Sequence, residues 1–351
     1  TYKANSCDFK DILFRQRIAV DMTDRILASS LVGQPVSMPV ALAPTGLCGM
    51  NYADGEILAN RAATAAGVPF TLSTMSICSI EDVAASGGAP FWFQVYMLKD
   101  RKFMEKLIER AKEARCSALV LTLDLQILGQ RHNDIRNGLS APPTINLDTV
   151  LQFLTKPSWC MNMLTTKRRS FRNIVGHATG VSDTASLSTW AAEQFDPSLN
   201  WKDVDWVRKQ WPGKLIIKGI LDPEDAKAAV AHGADALVVS NHGGRQLDSA
   251  PSSISSLVPI VRAVGEETEI HLDGGIRSGQ DVLKAMCLGA KGVYVGRSYL
   301  YGLGAGGEHG VSRALEIIRK ELDVTMALCG ERDLRVVGHH NLARVPAWAE
   351  E

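Results

Sequence analysis

The stretch KLIIKGILDPEDAKAAVAHGADALVVSN, residues 214–241, contains one complete strand–helix–strand unit. Leu215, Ile216 and Ile217 make an apolar, β-branched run, and Val238 and Val239 make a second. Between them Asp222 supplies an N-cap, Pro223 suits the first helical position and Gly233 suits the helix exit. Two parallel strands need a crossover of this kind, so the unit predicts an α/β fold with helices outside a parallel sheet.

Working outward, the same rhythm recurs in PVALAP near 39, PFTLST near 69, FWFQVY near 91, ALVLTLD near 118, EIHLDGG near 269 and GVYVGR near 292. With the two runs above, the eight candidates predict a (β/α)8 TIM barrel, an open doubly wound sheet being the alternative. Ser79 in SIED and Ser278 in SGQD each stand three positions before an acidic residue, a variant of the capping box. The rhythm breaks once: residues 126–212 separate the fourth strand from the fifth, several-fold more than an ordinary connection. We read them as an insertion or lid within a single domain spanning 1–351.

Lys+Arg and Asp+Glu both number 38, and the resulting zero net charge argues against nucleic acid as a partner. The seven cysteines form no C-x-x-C pair, which points away from a zinc site or redox dithiol and toward a reduced, cytoplasmic setting. No apolar run reaches the roughly 18 residues of a membrane-spanning helix. The chain opens at Thr1 without a methionine or a signal-like segment, as expected of a fragment or a processed product.

Barrel chemistry sits at the C-terminal ends of the strands. Those ends carry Thr45, Ser73, Gln94 with Tyr96, Thr122 with Asp124, Lys218, His242, Asp273 and Arg297. Residues at i and i+2 share a strand face, so Gln94 with Tyr96 and Thr122 with Asp124 can point into the barrel mouth together. A lone histidine at a strand end is ordinarily structural. In VVSNHGGRQLD (238–248), however, His242 is followed by two glycines and Arg245, and Asp124 is available to fix its tautomer and stabilise its imidazolium. Arg245 offers a planar fork for a carboxylate. A base beside such an anchor suits chemistry at the carbon next to an acid group.

The last two strands run into DGGIRSG (273–279) and GRSYL (296–300). Glycine-rich turns that lead into helix N-termini at this place in a barrel favour a phosphate, and Arg277 and Arg297 add charge. Lys218 ends an apolar strand, so it belongs either to a buried ion pair or beside a cofactor that becomes anionic on reduction, such as a flavin.

Together, SNHGGRQLD, MPVALAPTG, FWFQVY, LTLD, IIKGILDPEDA, DGGIRSGQDVLKA and GVYVGR resemble the FMN-dependent L-2-hydroxy-acid oxidase and dehydrogenase family over nearly the whole chain. LFRQRIAVDM and ILDPEDA look closest to its bacterial respiratory L-lactate dehydrogenases. The resemblance implies FMN as cofactor, a small 2-hydroxy acid (L-lactate foremost) as substrate, a respiratory acceptor such as a quinone, and a homo-oligomer, in this family a tetramer. It implies His242 as base with Asp124, Arg245 and Arg131 on the substrate carboxylate, and Tyr96 hydrogen-bonded to substrate. Met75 and Leu128 fall where selectivity is set. Lys218 would face the flavin N1 and O2 edge, with Pro44, Thr45, Gly46, Ser73, Gln94 and Thr122 against the cofactor. Asp273, Gly275, Arg277, Gly296 and Arg297 would hold its ribityl and phosphate. Two features depart from the family: its members begin further upstream, with floor helices and a substrate-binding tyrosine, and they carry proline where this chain has Gln126. An oxygen-using oxidase of glycolate or mandelate type, an inactive flavin-binding fragment and a phosphate-binding barrel isomerase are the alternatives.

Within the insertion, VLQFLTKPSWCMNMLTTKRRSFRNIVGH (150–177) mixes Phe153, Trp159, Met163 and Phe171 with Lys167, Arg168, Arg169 and Arg172, and Pro157 interrupts its apolar pattern. Apolar anchors beside cations predict peripheral contact with an anionic membrane, here the cytoplasmic face of the inner membrane. A solvated lid is the alternative.

Overall fold

The computed structural model describes residues 1–129, 132, 136, 155–178, 181, 190 and 193–350. All eight predicted strands are present: Val40–Leu42, Thr71–Ser73, Trp92–Tyr96, Ala118–Thr122, Lys214–Ile220, Ala236–Val239, Glu269–Asp273 and Gly292–Val295. They pair in parallel in chain order, and the eighth pairs with the first through Val293 and Val40. A bridge from Leu42 to Phe70 closes the ring on its other side, which excludes the open sheet.

Local chemistry explains the connectors. Asp222 accepts a hydrogen bond from the Glu224 amide to start helix Pro223–Ala231, and Ser79 and Ser278 both make complete capping boxes, with Asp82 and Asp281. Pro157, which interrupts the apolar pattern of the insertion, instead begins helix Pro157–Thr165, where a proline lacks no needed donor.

Small lumen residues, Ala41, Ala118 and Ala236 among them, leave room for two large rings, Trp92 and Tyr294, which lie tilted with centroids 5.9 Å apart. The hairpin Ser29–Leu31/Gln34–Val36 closes the floor by inserting Leu31, Val32 and Val36 into the same cluster. Gln34 Oε1 accepts the Trp92 indole N–H at 3.2 Å, so the buried ring has its polar partner.

The insertion corrects two expectations about membrane anchoring. Phe171 is buried in the core instead of offered outward, and the basic cluster is largely paired internally. Arg168 bonds Asp54 and Asp82, Arg172 bonds Asp82, and Arg169 donates to the Thr166 and Leu164 carbonyls. Trp159 is half-buried and donates to the Met50 carbonyl at 3.0 Å. Exposed apolar surface on this helix comes from Met161 and Leu164, neither of which the sequence singled out. Phe153 lies outside the described residues.

Trp92 fills the lumen while its indole anchors the floor hairpin, so Trp92→Ala should destabilise the protein by about 3–5 kcal/mol. Gln34→Met, which removes the acceptor shared by the indole and the Ser117 hydroxyl, should cost about 1–3 kcal/mol. Urea unfolding followed by circular dichroism measures both, and equal midpoints for the two variants would contradict this account of the floor.

Candidate active site

The strand ends open onto a cavity of about 630 Å³. Pro44, Thr45, Gly46, Met75, Tyr96, Leu128, Lys218, His242, Arg245, Asp273, Gly275, Arg277, Gly296 and Arg297 all line it, from strands that lie far apart in sequence. Asp124, Ser73, Gln94 and Thr122 stand behind this wall, the last three almost fully buried. Arg131 lies outside the described residues. Gln126, in the position of the missing proline, donates its side-chain amide to the Leu199 carbonyl at 2.8 Å and ties the loop to the insertion.

His242 follows the sixth strand in a left-handed conformation, φ 58°, that costs a non-glycine residue about 1–2 kcal/mol. Its amide donates to Ser240 Oγ at 3.1 Å, and its Nδ1 lies 3.0 and 3.2 Å from the two Asp124 oxygens. A carboxylate there favours the proton on Nδ1, which leaves the Nε2 lone pair for chemistry.

Of the two readings of Lys218, the structure shows the buried ion pair, and it also places the residue on the cavity wall. Its Nζ is 2.8 Å from Asp273 Oδ2 and donates to Ser240 Oγ at 2.9 Å. Burial opposes the ammonium charge, but Asp273 and Asp124 outweigh that penalty and lift its pKa above the ordinary lysine value. Burial likewise opposes the Asp273 carboxylate, and Lys218 with Ser240 holds it below the usual aspartate range.

At the other end of the cavity, burial first and the neighbouring Arg277 and Arg245 charges second depress the pKa of Arg297. Such a cluster calls for an anion. Among the described residues, Gln94 Nε2, Thr122 Oγ1 and Tyr294 Oη are buried without a hydrogen-bond partner. A ligand with a phosphate at one end and a heteroaromatic edge bearing donors and acceptors at the other would satisfy both sets, and FMN has that chemistry.

Several contributors escaped sequence reading. Tyr294, Phe171 and Phe195 also line the cavity, yet the first reads as a strand residue and the other two lie in an insertion without clear periodicity. Ser240, two residues before His242, carried a positional signal that went unused.

A parallel barrel whose mouth joins a histidine–carboxylate pair to an arginine cluster defines a barrel oxidoreductase of the phosphate-cofactor type. The chain belongs to the FMN-dependent dehydrogenase family, whose model it matches over residues 1–344. It is 46% identical over 349 residues to an L-lactate dehydrogenase of Xanthomonas campestris pv. campestris strain 8004, covering 98% of this chain and 89% of that one. An L-lactate dehydrogenase of Caulobacter sp. strain K31 is 45% identical over 348 residues, with 98% and 90% covered. Among solved structures, the monotopic membrane protein (S)-mandelate dehydrogenase superposes with a TM-score of 0.93 at 36% identity, covering 98% and 91%. A mandelate oxidase superposes at 0.78 and 36%, covering 95% and 86%. The protein is thus an FMN-dependent 2-hydroxy-acid dehydrogenase.

The buried pair makes a pH-dependent prediction. A carboxyl with a depressed folded pKa stabilises above its unfolded value, and a lysine with a raised one stabilises below its own, so the pair contributes between about pH 4 and about pH 10. Lys218→Met strands the Asp273 charge and should cost about 3–5 kcal/mol at pH 7, whereas Lys218→Met/Asp273→Leu should cost less. The single variant's deficit should narrow toward pH 4 as its unpaired carboxyl takes up a proton. Urea titrations across that range measure both effects; a double variant less stable than the single at pH 7 would refute the pairing argument.

Proposed function

We propose that this dehydrogenase oxidises L-lactate to pyruvate, and one observation carries the reading: a base held by Asp124 and a carboxylate-binding arginine three residues on face one cavity. The sequence similarity to L-lactate dehydrogenases supports that substrate. Arg245 grips the carboxylate through its planar fork, and Tyr96 holds the substrate from the third strand. Converting the carbinol to a ketone removes two electrons and two protons, and His242 Nε2 takes one of those protons. Asp124 offsets the imidazolium charge so formed. FMN, when bound, supplies the two-electron acceptor. Pro44, Gly46, Lys218, Gln94 and Thr122 would serve its ring, while Gly275, Arg277 and Arg297 would serve its phosphate arm.

A bulkier substrate is the second reading, because Phe171, Phe195, Leu128 and Met75 give the cavity an apolar, partly aromatic wall, and the structural relatives include mandelate enzymes. Anaerobic bleaching of the flavin by L-lactate and by (S)-mandelate, compared as kcat/KM, decides between them. Neither substrate bleaching a flavin-loaded protein would refute the function. His242→Gln should slow flavin reduction by about 10²- to 10⁴-fold while leaving FMN bound. Arg245→Lys should cripple turnover and Arg297→Ala should weaken FMN retention; exchanged phenotypes would overturn the assignment.

The electrons pass to an acceptor at a membrane surface. No helix among the described residues is long and apolar enough to cross a membrane, so the contact is peripheral, through Met161 and Leu164 beside the exposed Lys167 and Arg169. The similarity to a monotopic membrane protein supports this placement. Met161→Ser/Leu164→Ser should abolish sedimentation with anionic liposomes at low salt. If the unmodified protein stays in the supernatant, the membrane proposal fails.

A further inference from the structure

Three consecutive residues after the sixth strand, His242, Gly243 and Gly244, have left-handed φ values of 58°, 66° and 72°. Such a turn persists only where its surroundings over-determine it. The residue that closes it is Asn241: its carbonyl and its Oδ1 both accept the Gly244 amide at 3.0 Å. Asn241 is itself gripped from 236 positions away. Asn5, on the short helix Ala4–Cys7, donates its side-chain amide to Asn241 Oδ1 at 2.8 Å, and Asn241 donates back to Asn5 Oδ1 at 2.7 Å.

The two side chains form a reciprocal amide pair, buried to 3% and 4% exposure, in which low dielectric strengthens each bond and makes its loss costly. Two further bonds tie the pair to its surroundings. Asn241 donates its second amide hydrogen to the Pro251 carbonyl at 3.1 Å, and Asn5 Oδ1 also accepts the Ser253 amide at 3.1 Å. The main-chain oxygen of Asn5 meanwhile lies where a side chain at Gly275 would stand, so the same residue abuts the cavity wall after the seventh strand.

We propose that Asn5 is a positioning residue for the reaction: through Asn241 it holds the left-handed turn that aims His242 at the cavity. This rests on the reading of His242 as the base. Asn5 is not among the residues that line the cavity; it limits the orientations of the loop that bears the reacting group. Rates respond steeply to such placement, with a displacement of about 1 Å worth up to about 10²-fold.

The decisive variant is Asn5→Asp, nearly isosteric, which keeps the accepted bonds and replaces one donor by an oxygen facing Asn241 Oδ1. Asn5→Ala removes the whole clamp, and Asp8→Asn serves as control, since the Asp8 carboxylate, from the same segment, accepts from Ser252 Oγ and is not bonded to Asn241. In FMN-loaded protein, kcat with L-lactate should fall by about 10- to 100-fold for Asn5→Asp, with KM rising less than about threefold. Asp8→Asn should keep kcat even where it lowers the urea midpoint as much. Independently of activity, hydrogen exchange read by mass spectrometry over 240–248 should quicken in Asn5→Asp while helix Gly55–Ala66 stays unchanged. Unchanged exchange over 240–248, a retained kcat, or equal kcat loss in Asp8→Asn would each overturn the proposal. Failure of the unmodified protein to bleach with L-lactate would count against the function instead, while the exchange experiment still decides the clamp.

Discussion

The buried contact between Lys218, Ser240 and Asp273 is the constraint around which the rest of the site is arranged. The three residues sit at the ends of the fifth, sixth and seventh strands, so one ammonium, one hydroxyl and one carboxylate brace three neighbouring strands. Ser240 is saturated: it donates to Asp273 Oδ2 at 2.8 Å and accepts from Lys218 Nζ and from the His242 amide. The backbone of the proposed base thus hangs on the same hydroxyl that bridges the ion pair. Desolvating two charges is expensive, and such a pair survives on good geometry and filled hydrogen-bonding positions, both present here.

That brace also separates two environments. Below it the lumen is tightly filled, mainly by apolar side chains with the buried His271 beside Tyr294; above it the mouth is polar. Tyr294 belongs to both, packed against Trp92 yet lining the cavity with its hydroxyl buried. Burial, with the Asp273 and Glu269 charges behind it, pushes its pKa well above the ordinary tyrosine value. The phenol therefore stays neutral at any physiological pH and offers a hydrogen-bonding group on the cavity floor without adding a charge. The cations, by contrast, are concentrated at the far end, where Arg277 and Arg297 follow the last two strands. One cavity consequently presents an end where the Lys218 and Asp273 charges offset each other and a cationic end.

The barrel was legible because its signals are local. Each strand announces itself in three to seven residues, mostly apolar or β-branched, and capping residues such as Asp222, Ser79 and Ser278 act on amides two or three positions away. Strand-end polarity extended that legibility to most of the polar side chains on the cavity wall, since a polar residue where the lumen should be apolar has to be accounted for, whereas Pro44, Gly46, Met75 and Leu128 came from the family resemblance. The insertion was not legible for the opposite reason. An apolar residue packs inward or stays exposed with the same local composition, and Phe171 took the first course while Met161 and Leu164 took the second. Arg168 and Arg172 read as a free basic patch because their partners, Asp54 and Asp82, lie about a hundred residues upstream. The reciprocal pair of Asn5 and Asn241 was invisible on the same ground, since nothing in either neighbourhood points to the other.

The pairing of Asp124 with His242 depends on a residue with no side chain at all. Gly219 interrupts the fifth strand at φ +105°, and the register of its pairing with the sixth strand shifts between Lys218 and Ile220. A bulge of this kind bends the strand just where Lys218 must turn toward Asp273. A Cβ on Gly219 would lie 2.8 Å from Asp124 Cβ and 2.9 Å from its Cγ, so the carboxylate occupies space that any other residue would fill. The bulge therefore serves two purposes with one backbone distortion: it aims the lysine and makes room for the carboxylate that fixes the histidine. In a sequence this glycine reads only as a weak point in an apolar strand, and its role emerges when the fourth strand's aspartate is seen to lie against it.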